Sequence, residues 1–105
     1  MEARKDDLDK LRYDLIPPDA LKELARVYTF GARKYGDRNW EKGMDWGRPY
    51  AAMLRHALAW GDGETLDPET GVNHLAHAAW NCLTLIAYAK RGVGADYREV
   101  GSDDD

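Results

Sequence analysis

The sequence predicts an all-α domain, a compact set of three helices joined by long loops and assembled as a homo-oligomer. Apolar residues recur at helical spacing in three separate stretches. Pro and Gly punctuate those stretches where helices begin and end. No stretch shows the two-residue alternation or the β-branched enrichment of a strand.

Helix one is expected over Pro18 to Tyr35. Pro17-Pro18 suits a first turn, Asp19 and Glu23 complement the helix dipole, and Leu21, Leu24, Ala25, Tyr28, Ala32 and Tyr35 share a face. Gly36 offers a left-handed stop. The loop from Asp37 to Gly47 combines turn formers with Trp40 and Trp46, which read as a lid, a stacking wall or a subunit contact. Pro49 opens helix two, whose Tyr50, Met53, Leu54, Ala57 and Leu58 form an apolar stripe ended by Gly61. Arg55, His56 and Trp60 lie off that stripe, His56 and Trp60 one turn apart. The Asp62–Gly71 segment reads as loop, with Asp67 or Glu69 as caps for the third helix and Gly61-Asp62-Gly63 as ordinary turn chemistry.

Asn73 caps helix three, which reaches about Lys90. Leu75, Ala76, Ala79, Trp80, Cys82, Leu83, Leu85, Ile86 and Ala87 make it apolar nearly all round, so it is expected to be central and buried on most sides, with Trp80 in the core. The resulting division is an N-terminal arm over 1–17, a helical domain over 18–92, and a tail over 93–105 whose end, Gly101 to Asp105, reads as solvated.

A chain of 105 residues with a hydrophobic fraction of 44% supports one core, and three short helices leave apolar stripes that favour burial against a second copy. A formal charge of -4, from 15 basic and 19 acidic residues, argues against polymeric DNA or RNA as partner. It does not argue against a free nucleotide, which needs only a local cluster of donors. The lone Cys82 fits a reducing compartment; Met1 to Lys10 is charged rather than apolar, and no apolar run nears the ~20 residues of a membrane span, so a cytoplasmic protein without membrane association is expected.

One stripe of helix three breaks its apolar character. His74, His77, Asn81, Thr84 and Tyr88 follow 3, 4, 3, 4 spacing along a single face. Buried polar groups need partners, so the stripe implies either an internal hydrogen-bond network or a pocket completed by a ligand. The pocket is the expectation here, and a row sealed by neighbours with no cavity beside it would remove the basis for it. His74 and His77 lack a third Cys or His at a recognised zinc spacing.

The runs Lys10-Leu11-Arg12-Tyr13-Asp14-Leu15-Ile16-Pro17-Pro18, Tyr35-Gly36-Asp37-Arg38-Asn39-Trp40 and His74-Leu75-Ala76-His77-Ala78-Ala79-Trp80-Asn81 carry a resemblance. From Lys10 to Tyr88 the chain resembles a phage-borne dATP/dGTP diphosphohydrolase-like family, related to the MazG-type helical nucleotide pyrophosphatases. The resemblance implies a helical oligomer, a purine nucleotide ligand, the infected host's cytosol as location and, in enzymatic members, divalent-metal cleavage to monophosphate and pyrophosphate. MazG-type chemistry holds Mg²⁺ on carboxylates of facing helices, because that ion prefers hard oxygen ligands. Helices two and three here contain no Asp or Glu.

Two functions therefore compete at the level of sequence. In the first, Arg12, Tyr35, Arg38, Asn39, Trp40, Arg55, His56, His74, His77 and Asn81 bind a purine nucleotide without any cofactor. The protein then acts as an anti-defence sponge for a signal such as an ADP-ribose derivative or cyclic dinucleotide. In the second, Asp37, Glu64 and Asp67 hold Mg²⁺ or Mn²⁺ for diphosphohydrolysis of dATP or dGTP. A helical interaction module whose polar stripe is satisfied within the oligomer is the blander alternative.

Overall fold

Three helices, α1 (Pro18–Tyr35), α2 (Gly47–Gly61) and α3 (His74–Arg91), carry the fold in a computed structural model that describes residues 9–99. Short 3-10 turns at Tyr13–Leu15 and Asn39–Lys42 complete the helical content. Among the described residues there is no strand, only isolated bridges pairing Asp45 with Ala95 and Leu66 with Asn73. The solvated end expected for Gly101–Asp105 lies outside the described residues.

The bounds of α1 coincide with the expected ones. Leu21 N donates to Pro17 O at 2.9 Å, and Gly36, at φ 97, ends the helix by donating to Ala32 O. α2 starts two residues ahead of the expected Pro49, at Gly47, because Asp45 Oδ1 accepts from Gly47 N at 2.9 Å and secures the first turn. Pro49 is fully buried in that turn, where its missing N–H leaves no bond unmade. Asn73 Oδ1 accepts from Leu75 N at 2.8 Å and so caps α3 as expected.

α3 packs chiefly against α2 and also against α1. Its orientation reverses the expectation that it would be buried on most sides. Leu75, Leu83 and Ile86 are 43%, 41% and 55% exposed, whereas His74, His77, Asn81, Thr84 and Tyr88 are all at or below 9%. The polar stripe is the face that meets the rest of the molecule, where His74, His77, Asn81 and Tyr88 find hydrogen-bond partners while the buried Thr84 hydroxyl finds none among the described residues. Val27 of α1, Val72 and Ala76 form a small apolar core, with Trp80 half-buried against it.

The segment beyond α3 is tied back onto the loop before α2. Trp46 Nε1 donates to Val93 O at 2.8 Å, and Trp46 N donates to Ala95 O at 2.9 Å. Trp46 is therefore a structural pin, not the lid or stacking wall considered from sequence. No helix among the described residues is long and apolar enough to cross a membrane.

Candidate functional site

A cleft of about 1170 Å³ runs between the C-terminal half of α1, the Asn39–Lys42 turn, and the facing surfaces of α2 and α3. Tyr35, Arg38, Asn39, Trp40, His56, His77 and Asn81, all singled out from sequence, line it, as do Asp37 and Asp67. Lys34, Arg48, Thr70 and Trp80 line it too, although sequence reasoning passed them over as binding residues. The polar stripe is thus divided. His77 and Asn81 reach the cleft, while His74, Thr84 and Tyr88 are enclosed behind it.

Two expected residues stand apart. Arg12 is exposed and bonded to Asp14 at 2.8 Å, outside the cleft lining. Arg55 is exposed and lines a neighbouring hollow of about 570 Å³, which shares Arg48, Trp80 and Asn81 with the cleft. Trp40 forms one wall, its ring edge-on to Tyr28 with centroids 6.4 Å apart and tilted against Tyr88 at 6.1 Å. The Tyr88 hydroxyl donates to Trp40 O, so this wall is braced from α3. Arg38 has φ 57, a left-handed backbone in a non-glycine residue, of the kind that surrounding structure must impose.

Three imidazoles converge at one end of the cleft. The rings of His56 and His77 stack with centroids 4.6 Å apart and an interplanar angle of 11°. His56 Nδ1 lies 2.9 Å from His74 Nδ1, and His74 Nε2 lies 2.6 Å from Glu64 Oε1. Asp67 does not cap α3 as one sequence reading allowed. Its Oδ2 accepts from Thr70 N and Thr70 Oγ1, both at 3.0 Å, in a turn closed on itself. Glu69 does not cap α3 either; it pairs with Lys34 at 3.1 Å.

Proton counting assigns the tautomers. Thr70 has one hydroxyl hydrogen, and the Asp67 carboxylate can only accept it, so Thr70 Oγ1 is the acceptor at its 2.7 Å contact with His77 Nε2. His77 consequently carries its proton on Nε2. The same logic puts a proton on His74 Nε2, donated to Glu64, and turns His74 Nδ1 toward His56. Of the two Nδ1 atoms 2.9 Å apart, one must donate, or a cation must lie with them.

Burial pushes the His56 pKa below the ordinary imidazole range, and the neighbouring His77 adds to this while Asp67 opposes it. Burial likewise lowers His77, again against the pull of Asp67. For Asp67, burial favours the neutral acid, but the two hydrogen bonds from Thr70 outweigh it and hold the carboxyl below its usual range. These shifts favour the neutral ring at His56 and His77 and the ionised form of Asp67. Thr70 was invisible as a site residue in sequence, since nothing in a Pro-Glu-Thr-Gly loop reveals that its hydroxyl will link Asp67 to His77.

The model of a family described as dATP/dGTP diphosphohydrolase, N-terminal, matches residues 1–98. A protein of Salmonella phage PMBT28 named dATP/dGTP diphosphohydrolase is 40% identical over 86 residues, which are 82% of this chain and 29% of that protein. The chain thus spans less than a third of the length of this relative. No solved structure matches the chain.

Proposed function

The chain belongs to the dATP/dGTP diphosphohydrolase N-terminal family, and on that premise we propose that its cleft binds a purine nucleotide and holds it without cleavage, as an anti-defence sponge does. The observation that carries the reading is the chemistry of the lining. Arg38 and Arg48 supply cations for phosphate beside a Lys34 already paired with Glu69, Trp40 and Trp80 supply aromatic surface for a base, and Asn39, Asn81 and His77 supply polar groups for ribose or base edges. At about 1170 Å³ the cleft exceeds the roughly 300–1,000 Å³ of an ordinary small-molecule site. An open cleft of that size has room for a mononucleotide and also for an ADP-ribose derivative or a cyclic dinucleotide.

The carboxylates speak for retention over turnover. Asp37 is exposed, Glu69 is paired with Lys34, and Asp67 stands among imidazoles and not among further carboxylates. Glu64 is bonded to His74. These groups do not converge as the hard oxygen cage that Mg²⁺ requires, so the described residues do not fit that ion, and no hydrolytic step is derived through it.

The name of the phage relative favours a second reading, hydrolysis of dATP or dGTP. One experiment separates the two. The protein is incubated with dATP or dGTP and Mg²⁺ or Mn²⁺ and assayed for pyrophosphate; in parallel, cyclic dinucleotides and ADP-ribose derivatives are titrated and recovered after heat release. Sequestration predicts no pyrophosphate and intact recovered ligand. Stoichiometric conversion of the bound ligand would defeat it.

Assembly as a homo-oligomer belongs to the same proposal. Leu11, Tyr13 and Leu15 ahead of α1 are 76%, 73% and 69% exposed, apolar surface that a second copy would cover. Light scattering of the purified chain tests this, and a strictly monomeric mass would refute it.

A further inference from the structure

We propose that His56, His74 and Asp67 form a binding site for a zinc-class divalent cation, oriented by Glu64 and Thr70. The three residues each offer a ligand atom, and these atoms all lie within 4.8 Å of one another. Their sources are separate in sequence: α2, the loop after it, and the first residue of α3. That separation is why the His74–His77 pair looked incomplete as a zinc site on spacing alone. The second imidazole is His56 of α2, not His77, and the third ligand is the Asp67 carboxylate.

The geometry is close to what a first-row transition ion requires. Zinc bonds of about 2.0–2.1 Å to imidazole and a tetrahedral angle place two ring nitrogens about 3.3 Å apart. The observed separation of His56 Nδ1 and His74 Nδ1 is 2.9 Å, so the rings need only a few tenths of an ångström to open. Asp67 must close by up to roughly 1.5 Å from the 4.8 Å outer limit of the cluster.

The surroundings already have the pattern that ligating histidines show. His74 gives its far nitrogen to Glu64 at 2.6 Å, which fixes the ring and leaves the Nδ1 lone pair turned inward. Asp67 is fixed through one oxygen by Thr70 at 3.0 Å, leaving the other for a metal. Two neutral Nδ1 lone pairs at hydrogen-bond distance repel unless a proton or a cation lies between them. Two imidazoles and one carboxylate constitute a donor set for zinc and its neighbours rather than for magnesium. His56 and Asp67 also line the cleft, so an ion held by them borders it. The site stands on the cluster alone and needs no nucleotide.

The test is titration of the untagged full chain with ZnCl₂ by calorimetry at pH 7.5, with CoCl₂ as a spectroscopic probe. The expected result is one ion per chain, with Co²⁺ giving the strong visible bands of a four-coordinate site. His56→Ala should weaken binding by at least 100-fold, and Glu64→Gln by roughly 10- to 100-fold, the usual effect of removing a group that orients a ligand. Far-UV circular dichroism checks that each variant folds. As a readout without mutation, nitrogen-15 NMR of the wild-type rings should show Zn²⁺ moving the Nδ1 resonances of His56 and His74. No heat, no cobalt bands and unmoved ring signals would overturn the site, as would undiminished binding by a folded His56→Ala chain. No nucleotide enters these measurements, so their failure is distinct from failure of nucleotide binding.

Discussion

Replacing Thr70 by Val keeps the shape of the side chain and deletes the hydroxyl that joins Asp67 to His77. In the structure Thr70 Oγ1 donates to Asp67 Oδ2 at 3.0 Å and accepts from His77 Nε2 at 2.7 Å and from Val72 N at 3.2 Å. His77 is 9% exposed, so its N–H has little access to water once the hydroxyl is gone. A buried donor left unpaired costs roughly 1–3 kcal/mol. Part of this returns if His77 swings to Asp67 Oδ2, now 3.8 Å away. A net loss of about 2 kcal/mol is expected, which for a domain of this size lowers Tm by roughly 8–16 °C. Thermal melting followed by circular dichroism at one fixed chain concentration measures it. Thr70→Ser, which restores the hydroxyl, should recover most of the loss. A Thr70→Val melt within about 3 °C of wild type would refute the tautomer assignment and the role given to the hydroxyl.

Stability should also depend on pH through the imidazoles. The folded pKa values of His56 and His77 are depressed, so below about 6.5 the unfolded chain binds protons that the folded chain does not. The expected outcome is a Tm that falls as pH drops from 7.5 to 5.5, and a flat or rising Tm over that interval would contradict the burial of these rings. Arg38→Gly relieves a left-handed backbone while removing a cation from the cleft. It should leave Tm unchanged or a few degrees higher while weakening nucleotide binding by about tenfold or more, as read by calorimetry. Gly94→Ala places a methyl group against Met44 O and the Trp46 indole at a φ of +81. Urea denaturation should show a loss on the order of 2–4 kcal/mol, and an unchanged midpoint would mean that the Trp46–Val93 tie does not hold the segment in place.

The helices were legible because their signals are local. Pro17-Pro18, Gly36, Asn73 and the apolar spacing between them act over one or two turns, and α1 spans the very residues these marks predict. The polar stripe of α3 was legible for the same reason, since 3, 4, 3, 4 spacing is a property of the helix itself. Which way that stripe would face was not. Leu75, Leu83 and Ile86 argue for burial on their own hydrophobicity, and the outcome depends on partners that lie far away in sequence, such as His56 for His74 and Trp40 for Tyr88.

The sequence by itself determined three helices, the bounds of α1, the cap of α3, and a row of hydrogen-bonding side chains along one helix face. Only the tertiary structure decided that His56 of α2 would complete the histidine cluster, that Thr70 would tie it to Asp67, and that Arg48 and Lys34 would share a cleft with Asn81. The physical reason is range. Propensity, capping and periodicity are set by neighbours along the chain, whereas a site is set by side chains whose meeting depends on how whole helices cross.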